Sequence, residues 1–379
     1  MNIFVDERIV MTLDAGGTNF VFSAMQRGEE IVEPLVCNSN AHDLDLCLLT
    51  LTEGFKKVKE KLPAPPVAIS FAFPGPADYK SGIIGKLPNL PAFSGEGVPL
   101  GPMLEDQFNL PVYIANDGNL FAFGEAVAGA LPFVNRKLKE LKIARRYSNL
   151  LGVTLGTGFG AGVVINNTLC EGDNSAGGEI WLSRNFKDPA MFSEGSISIR
   201  GIQMAYAEAA QESNTTLSPK DIYEIACGKK EGNRLAAQQA FDRMAIVLAE
   251  ALCNAITLID GIIVIGGGMA EAYSLLAPKI IEHMGGTILN MDRKPIPRLV
   301  SQVYDLEQED ALQAFLSGGG KQIKVPFSDR TVFYSHEKKI GFCKSKLGTS
   351  QAIALGAYAL ALDKLSATNT VRKDLIGIL

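Results

Sequence analysis

An α/β protein of two similar lobes is what the sequence predicts, on three observations. Strand-like apolar runs alternate with helical patterns along most of the chain. Thr12-Leu-Asp-Ala-Gly16 recurs as Thr154-Leu-Gly-Thr-Gly158, 142 residues later, each time as strand, glycine turn, strand. The 379 residues suffice for two or three domains, and an apolar fraction of 47% suffices for real cores and excludes general disorder. The duplication reads as two lobes facing a cleft.

The elements follow in order. Ile9–Leu13 is rich in β-branched residues and ends at Asp14-Ala-Gly-Gly-Thr18; with Phe20–Met25 it forms a hairpin. Asp43–Lys61 places Leu44, Cys47, Leu48, Leu51, Phe55 and Val58 at helical spacing and stops before Pro63. Val67–Phe73 is a buried strand broken by Pro74-Gly-Pro76, and Val112–Ala115 is a short strand leading into Asn116-Asp-Gly-Asn119. Phe121–Ala130 is helical, and the basic stretch Asn135–Arg146 is a solvated face. Leu150–Ile165 is the second hairpin, Leu235–Leu258 a long helix, Ile262–Ile265 a strand ending in Gly266-Gly-Gly268, and Ser350–Leu365 a closing helix. The region 285–345 resists placement and is expected to be a surface insertion.

A net charge of −5 gives no footprint for nucleic acid or an anionic membrane. The N-terminal residues lack the basic and apolar regions of a signal peptide. Tyr147–Cys170 is long enough to span a bilayer and carries no charge, but its glycines and asparagines mark it as paired strands. The six cysteines contain no Cys-x-x-Cys pair and are expected to be reduced core thiols of a cytoplasmic protein.

The 38 glycines are a surplus, about 10% against an average of about 7%. A phosphate needs several N–H donors converging on it, and glycine lets the backbone turn and approach without a Cβ clash. Asp14-Ala-Gly-Gly-Thr18 and Gly156-Thr-Gly-Phe-Gly160 supply two such turns, although each alone reads equally as an ordinary hairpin turn. No Gly-x-x-x-x-Gly-Lys-[Ser/Thr] occurs, and Glu271 stands where a dinucleotide fingerprint after Gly266 needs its third glycine. Gly266, Gly267 and Gly268 read as a surface for a base or ribose, or as a tight turn.

Leu13-Asp-Ala-Gly-Gly-Thr-Asn19, Phe73-Pro-Gly-Pro-Ala-Asp78, Pro88-Asn-Leu-Pro91, Asn116-Asp-Gly-Asn119 with Gly124-Glu125, Gly156-Thr-Gly-Phe-Gly160, Ala176-Gly-Gly-Glu179 and Ile265-Gly-Gly-Gly268 stand in this order. Together they resemble the ROK family of sugar kinases and repressors. Leu347–Ala357 resembles the family's C-terminal helix. The likeness covers the chain except about 183–235 and 285–345.

The resemblance implies two ribonuclease-H-like lobes of the actin and hexokinase type around a central nucleotide cleft. It places the N-terminal, sugar-side lobe at 1–117, completed by helix 350–379, and the nucleotide-binding lobe at 118–349. It also implies ATP with Mg²⁺, a small-molecule sugar substrate, and often a homodimer. Asp117 matches the catalytic Asp, a general base for a sugar hydroxyl; read alone, it is equally a helix N-cap. Asn116, Asn89 and Glu179 would hold the sugar. Gly16, Gly17, Thr18, Gly156, Thr157, Gly158 and Gly266–Gly268 would hold the nucleotide. Asp14 would orient the Mg²⁺ shell, or else close an Asx-turn.

The sequence departs from the family after Glu179. The family continues Glu-x-x-His into a Cys-x-Cys-Gly-x-x-Gly-Cys zinc cluster. Here the third position is Leu182, after Trp181, and Leu182–Gly201 holds no cysteine or histidine. No protein zinc site is expected, and Trp181 is expected to add an aromatic wall. The expected function is ATP-dependent phosphorylation of a hexose or N-acetylhexosamine. The alternatives are a non-catalytic sugar-binding protein, a kinase for a non-hexose acceptor, and a family regulator, for whose helix-turn-helix a turn at Asp14 leaves no room.

Overall fold

The structure is a computed structural model that describes residues 2–376 apart from 76, 86, 88–92, 94 and 96, with side chains described to residue 367. The first strands are β1 Val10–Ala15, β2 Asn19–Gln26, β3 Glu29–Glu30, β4 Leu35–Asn38, β5 Ala68–Ala72, β6 Ala77–Asp78, β7 Ile83–Ile84, β8 Val98–Pro99 and β9 Val112–Ala115. With them come helices α1 Leu44–Glu60, α2 Leu100–Phe108 and α3 Asp117–Val127. Next are α4 Ala130–Glu140, β10 Leu150–Leu155, β11 Phe159–Ile165, β12 Thr168–Leu169, α5 Ile199–Ala210, α6 Pro219–Ala226 and α7 Arg234–Ile259. The chain ends with β13 Ile262–Gly266, α8 Tyr273–Met284, β14 Thr287–Leu289, β15 Pro295–Pro297, β16 Gln302–Asp305, α9 Glu309–Leu316, β17 Lys321–Lys324, β18 Thr331–Tyr334, β19 Lys339–Lys344 and α10 Thr349–Ile376.

Two compact units result. The first comprises Met1–Gly129, Gly162–Gly178 and Leu347–Leu379, and the second Ala130–Ala161 and Glu179–Lys346. The first unit therefore runs past the expected break at 117. The reason is α3, whose Gly124 meets α10 so closely that a Cβ there would lie 1.9 Å from the Ala352 carbonyl oxygen. Gly356 makes the reciprocal approach, 1.9 Å from the Leu120 oxygen. Only glycine permits backbones this near. The buried Tyr358 hydroxyl of α10 also accepts from Arg27 N at 3.1 Å and reaches the carbonyl oxygens of Asp6 and Arg8, tying the helix to β1 and β2.

The first unit's main sheet has the order β3-β2-β1-β5-β9, with β4 beside β2. The expected hairpin is present, Val10 opposite Met25 through Ala15 opposite Phe20. Strands β1, β5 and β9 are parallel, so Asp14, Ala72 and Ala115 share one row at their carboxyl ends. Helix α1 matches its periodicity: Asp43 caps it by accepting from Leu46 N, and Cys47, Leu51, Phe55 and Val58 are buried. Behind the sheet Phe22, Phe55, Phe71, Phe73 and Phe93 pack in succession, with centroids 5.1–6.2 Å apart and rings mostly edge to face.

The second sheet runs β12-β11-β10-β13-β19-β16, with β10, β13, β19 and β16 parallel. Tyr147–Cys170 is thus the β10–β11–β12 meander. Among the described residues no helix is long and apolar enough to cross a membrane.

The region 285–345 corrects the expectation of a surface insertion. Strands β16 and β19 belong to the sheet, and α9 buries Leu312, Phe315 and Leu316. Buried Lys339 pins the end of α9, donating to the carbonyl oxygens of Ala314 and Ser317 at 2.7 and 3.1 Å. Only the hairpins β14–β15 and β17–β18 lie wholly exposed. The Asn135–Arg146 stretch divides: α4 buries Val134 and Leu138 while Arg136 and Lys139 face solvent. The cysteines divide too. Cys47, Cys253 and Cys343 are core thiols, and burial pushes the first two up to about 11, but Cys37 and Cys227 are half-buried and Cys170 is exposed.

Candidate functional site

Helix α3 begins at Asp117, not Phe121, because Asn116 caps it: its side-chain oxygen accepts from Asn119 N at 2.6 Å. The cap role that the sequence left open for Asp117 thus belongs to Asn116, and Asp117 is the first helical residue. Asn116 keeps its side-chain NH₂ to offer a ligand.

Asp117 follows β9, two strands over from Asp14 on β1. Strands β1 and β9 are two strand spacings apart, about 9.5 Å. The Asp117 side chain is exposed to water. Desolvation is the largest influence and raises its pKa; the Gly118 N–H at 2.9 Å opposes this, and the negative Asp14 adds to it. A carboxylate whose charged form is disfavoured, yet which water still reaches, is suited to taking a proton. Asp14 is exposed, and among the described residues its carboxylate accepts no hydrogen bond. It closes no Asx-turn.

The turn between Asp14 and Asn19 has an uneven hydrogen-bond account. Ser39 consumes its carbonyls: the hydroxyl donates to Gly17 O at 2.7 Å and the N–H to Thr18 O at 2.9 Å. No protein acceptor among the described residues takes the N–H of Gly16, Gly17 or Thr18. Gly17 is also open, since a Cβ there would meet nothing within 4 Å. A turn whose acceptors are used and whose donors are free is an anion cradle.

The second unit presents the counterpart. Gly156 N donates to Gly158 O at 3.0 Å, closing the turn, while the N–H groups of Thr157 and Gly158 have no protein acceptor among the described residues. β10 pairs in parallel with β13, Thr154 opposite Gly266, which brings Gly156–Gly158 and Gly266–Gly268 to adjacent strand ends. Gly267 has φ +86°, and a Cβ there would lie 2.3 Å from Leu155 O. Gly268 is open. In open α/β sheets, carboxyl strand ends of this kind are where ligands bind.

Glu194 escaped the sequence reading. One of its carboxylate oxygens accepts from Phe159 N at 2.8 Å and fills the space beside Gly158. It lies in the segment outside the family likeness, and a lone carboxylate among Ser, Gly and Ile was its only signal. Ser39, a buried serine within Asn-Ser-Asn, gave no signal at all.

Glu179 precedes a short 3-10 turn, Ile180–Leu182, and accepts a hydrogen bond from Trp181 Nε1. Leu182 is 60% exposed and offers no polar group. Among the described residues no group of three or more His, Cys, Asp or Glu side chains could hold a metal ion. Asn89 lies outside the described residues. The structure thus groups Asp14, Gly16, Gly17, Thr18, Asn116 and Asp117 in the first unit, and Gly156, Thr157, Gly158, Glu179 and Gly266–Gly268 in the second.

Comparison with known proteins adds four findings. The pattern of the ROK family matches residues 10–305. The chain is similar to the crystal structure of a glucokinase from Parabacteroides distasonis, with 51% identity, a TM-score of 0.87, and coverage of 96% of this chain and 99% of that one. It is 26% identical to a glucokinase of Halalkalibacterium halodurans over 74% of this chain and 86% of the relative. It is also 32% identical to a xylose repressor of Caldicellulosiruptor bescii, over only 42% of this chain and 37% of that protein.

Proposed function

The chain belongs to the ROK family, and from that premise we propose that it transfers the γ-phosphoryl group of ATP to a hydroxyl of a hexose or N-acetylhexosamine. The free N–H groups of the two glycine turns carry this reading. Among the described residues, the first unit's donors without acceptors beside Asp14 and the raised Asp117 fit phosphate oxygens, Mg²⁺ and an acceptor hydroxyl, and the second unit's donors without acceptors fit further phosphate oxygens.

Asp117 takes the proton of the sugar hydroxyl as that oxygen bonds to phosphorus and the bond to the ADP oxygen breaks. The N–H groups of Gly16, Gly17, Thr18, Thr157 and Gly158 hold phosphate oxygens and take up the charge that shifts onto the leaving ADP. Backbone donors explain how a chain of net charge −5 binds a polyanion without a basic patch. Gly266–Gly268 offer a flat backbone surface for the base or ribose. Asp14 would hold the water shell of Mg²⁺, which supplies charge neutralisation. Asn116 beside Asp117 binds a sugar hydroxyl and so sets which oxygen faces that base, and Glu179 binds sugar hydroxyls from the second unit. The protein would work in the cytoplasm.

The test is ADP release with Mg²⁺-ATP and a panel of hexoses and N-acetylhexosamines. Turnover above an Asp117→Ala control is expected; its absence for every sugar overturns the reading. One observation favours a second reading, sugar binding without phosphoryl transfer: Leu182 stands exposed where the family carries a polar ligand. Calorimetry showing sugar binding and no ATP binding would select it.

A further inference from the structure

We propose that Trp181 is the positioning residue of the sugar subsite, its indole N–H fixing the Glu179 carboxylate in place of the family's metal-held histidine. The inference rests on the sugar-kinase reading and concerns how this chain builds that subsite without zinc. The Trp181 Nε1–H donates to Glu179 Oε2, so one carboxylate oxygen is held and the other is left to accept from a ligand. A two-residue separation across the 3-10 turn Ile180–Leu182 makes this bond local and short-ranged. The indole is in turn set by Phe192, edge to face at 5.9 Å and 88°.

Phe192 belongs to the segment where the family places its cysteines, and here hydrogen bonds hold that segment. Asn185, fully buried, is its hub. Its Oδ1 accepts from the N–H groups of Lys187 and Asp188 at 2.9 and 3.2 Å, and its Nδ2 donates to Ser196 Oγ at 2.9 Å. The Asn185 N–H donates to Met191 O at 2.9 Å. Ser193 closes the loop, its N–H and hydroxyl both donating to Ser183 O, at 2.8 and 2.9 Å. A satisfied buried network of this kind rigidifies a loop. Asn185 therefore holds the loop, the loop holds Phe192, Phe192 holds Trp181, and Trp181 aims Glu179.

Trp181 is also the chain's single tryptophan, so its fluorescence reports on this subsite alone. The experiment measures intrinsic fluorescence against sugar concentration, together with kcat and KM for sugar and for ATP, in wild type, Trp181→Phe and Trp181→His. Phe keeps a ring against Phe192 and loses the donor; His restores an N–H. The expected result is a saturable fluorescence change with sugar. Trp181→Phe should raise the sugar KM about tenfold, the effect of losing a hydrogen bond to a charged group, with the ATP KM and kcat within about twofold, and Trp181→His should recover part of the loss.

Wild-type turnover with an unchanged sugar KM in Trp181→Phe overturns the positioning role and leaves the kinase reading intact. The same holds if kcat and both KM values worsen together, which is the mark of a merely structural residue. A saturable sugar response without ADP release supports Trp181 at the subsite and sinks the kinase reading. No fluorescence response and no turnover overturns both.

Discussion

The two units repeat one sheet plan and finish it differently. In each, a hairpin strand lies beside a first strand, followed by two parallel neighbours: β2-β1-β5-β9 in the first and β11-β10-β13-β19 in the second. In each, the hairpin turn leaves N–H groups without acceptors among the described residues. The first unit's strand ends also carry the carboxylates Asp14 and Asp117. The second unit's β10 and β13 lead into glycine and threonine, the Asp305 that ends β16 accepts from the Tyr273 hydroxyl at 2.6 Å, and Glu194 beside the turn is spent on Phe159 N. On the proposed function, the backbone plan supplies phosphate donors in both units, and the side chains at the strand ends decide which unit would also move a proton.

The largest effect that would break this contrast comes from Asp117. Asp117→Ala should lower kcat about 10³-fold, within the range general bases supply, with the ATP KM changed by less than threefold in steady-state assays. A residual kcat within tenfold of wild type would mean that the first unit contributes no base and that the two units differ only in decoration.

Next in size is the helix crossing that carries Asp117. Gly356→Ala puts a methyl group 1.9 Å from the Leu120 carbonyl oxygen, so α10 and α3 must separate. Overpacking against backbone predicts a loss of about 3 kcal/mol in urea unfolding, together with reduced kcat as Asp117 moves. Gly268→Ala, in the second unit, meets nothing within 4 Å and should change stability by less than about 0.5 kcal/mol.

A smaller effect separates the turns themselves. Gly17→Ala adds a methyl group to open space, whereas Gly158→Ala drives one to 2.6 Å from Glu194 Oε2. Gly17→Ala should raise the ATP KM severalfold with the melting temperature unchanged, because only the phosphate meets the methyl. Gly158→Ala should lower the melting temperature as well, since Glu194 must leave Phe159 N and lose a hydrogen bond worth about 1.5–3 kcal/mol. Equal melting temperatures would erase the difference between an open turn and a sealed one.

How much of this was legible depends on whether the signal was local. The β1–β2 hairpin, helix α1 and strand β9 all lie where apolar period and turn residues put them. The glycine turns and the place of Asp117 just after β9 were legible because a turn or a short strand leaves its mark in a few adjacent residues. Ser39, Glu194 and Asn185 were not, because each acts on a partner distant in sequence or through a buried hydrogen bond that leaves no pattern. The region 285–345 misled for the same reason. Its sheet membership rests on β16 and β19 pairing with each other and with β13, contacts of high sequence separation, and on Lys339, a charged residue that composition assigns to the surface.

The smallest effect tests the electrostatic side of the comparison through stability. Folding raises the Asp117 pKa, so between its ordinary value of 3.8 and the raised one the native state binds more protons than the unfolded state. Native stability therefore falls as pH climbs through that window, and the full cost is present above it. Asp117→Asn removes the charge and the cost together. Its melting temperature should exceed that of wild type at pH 7–8 and converge with it near pH 3, while activity is lost throughout. The second unit offers the control. Glu194 is satisfied by Phe159 N, so Glu194→Gln leaves that N–H a neutral acceptor and should gain nothing on melting at pH 7. A higher melting temperature for Glu194→Gln but not for Asp117→Asn would reverse the contrast, placing the strained carboxylate in the second unit.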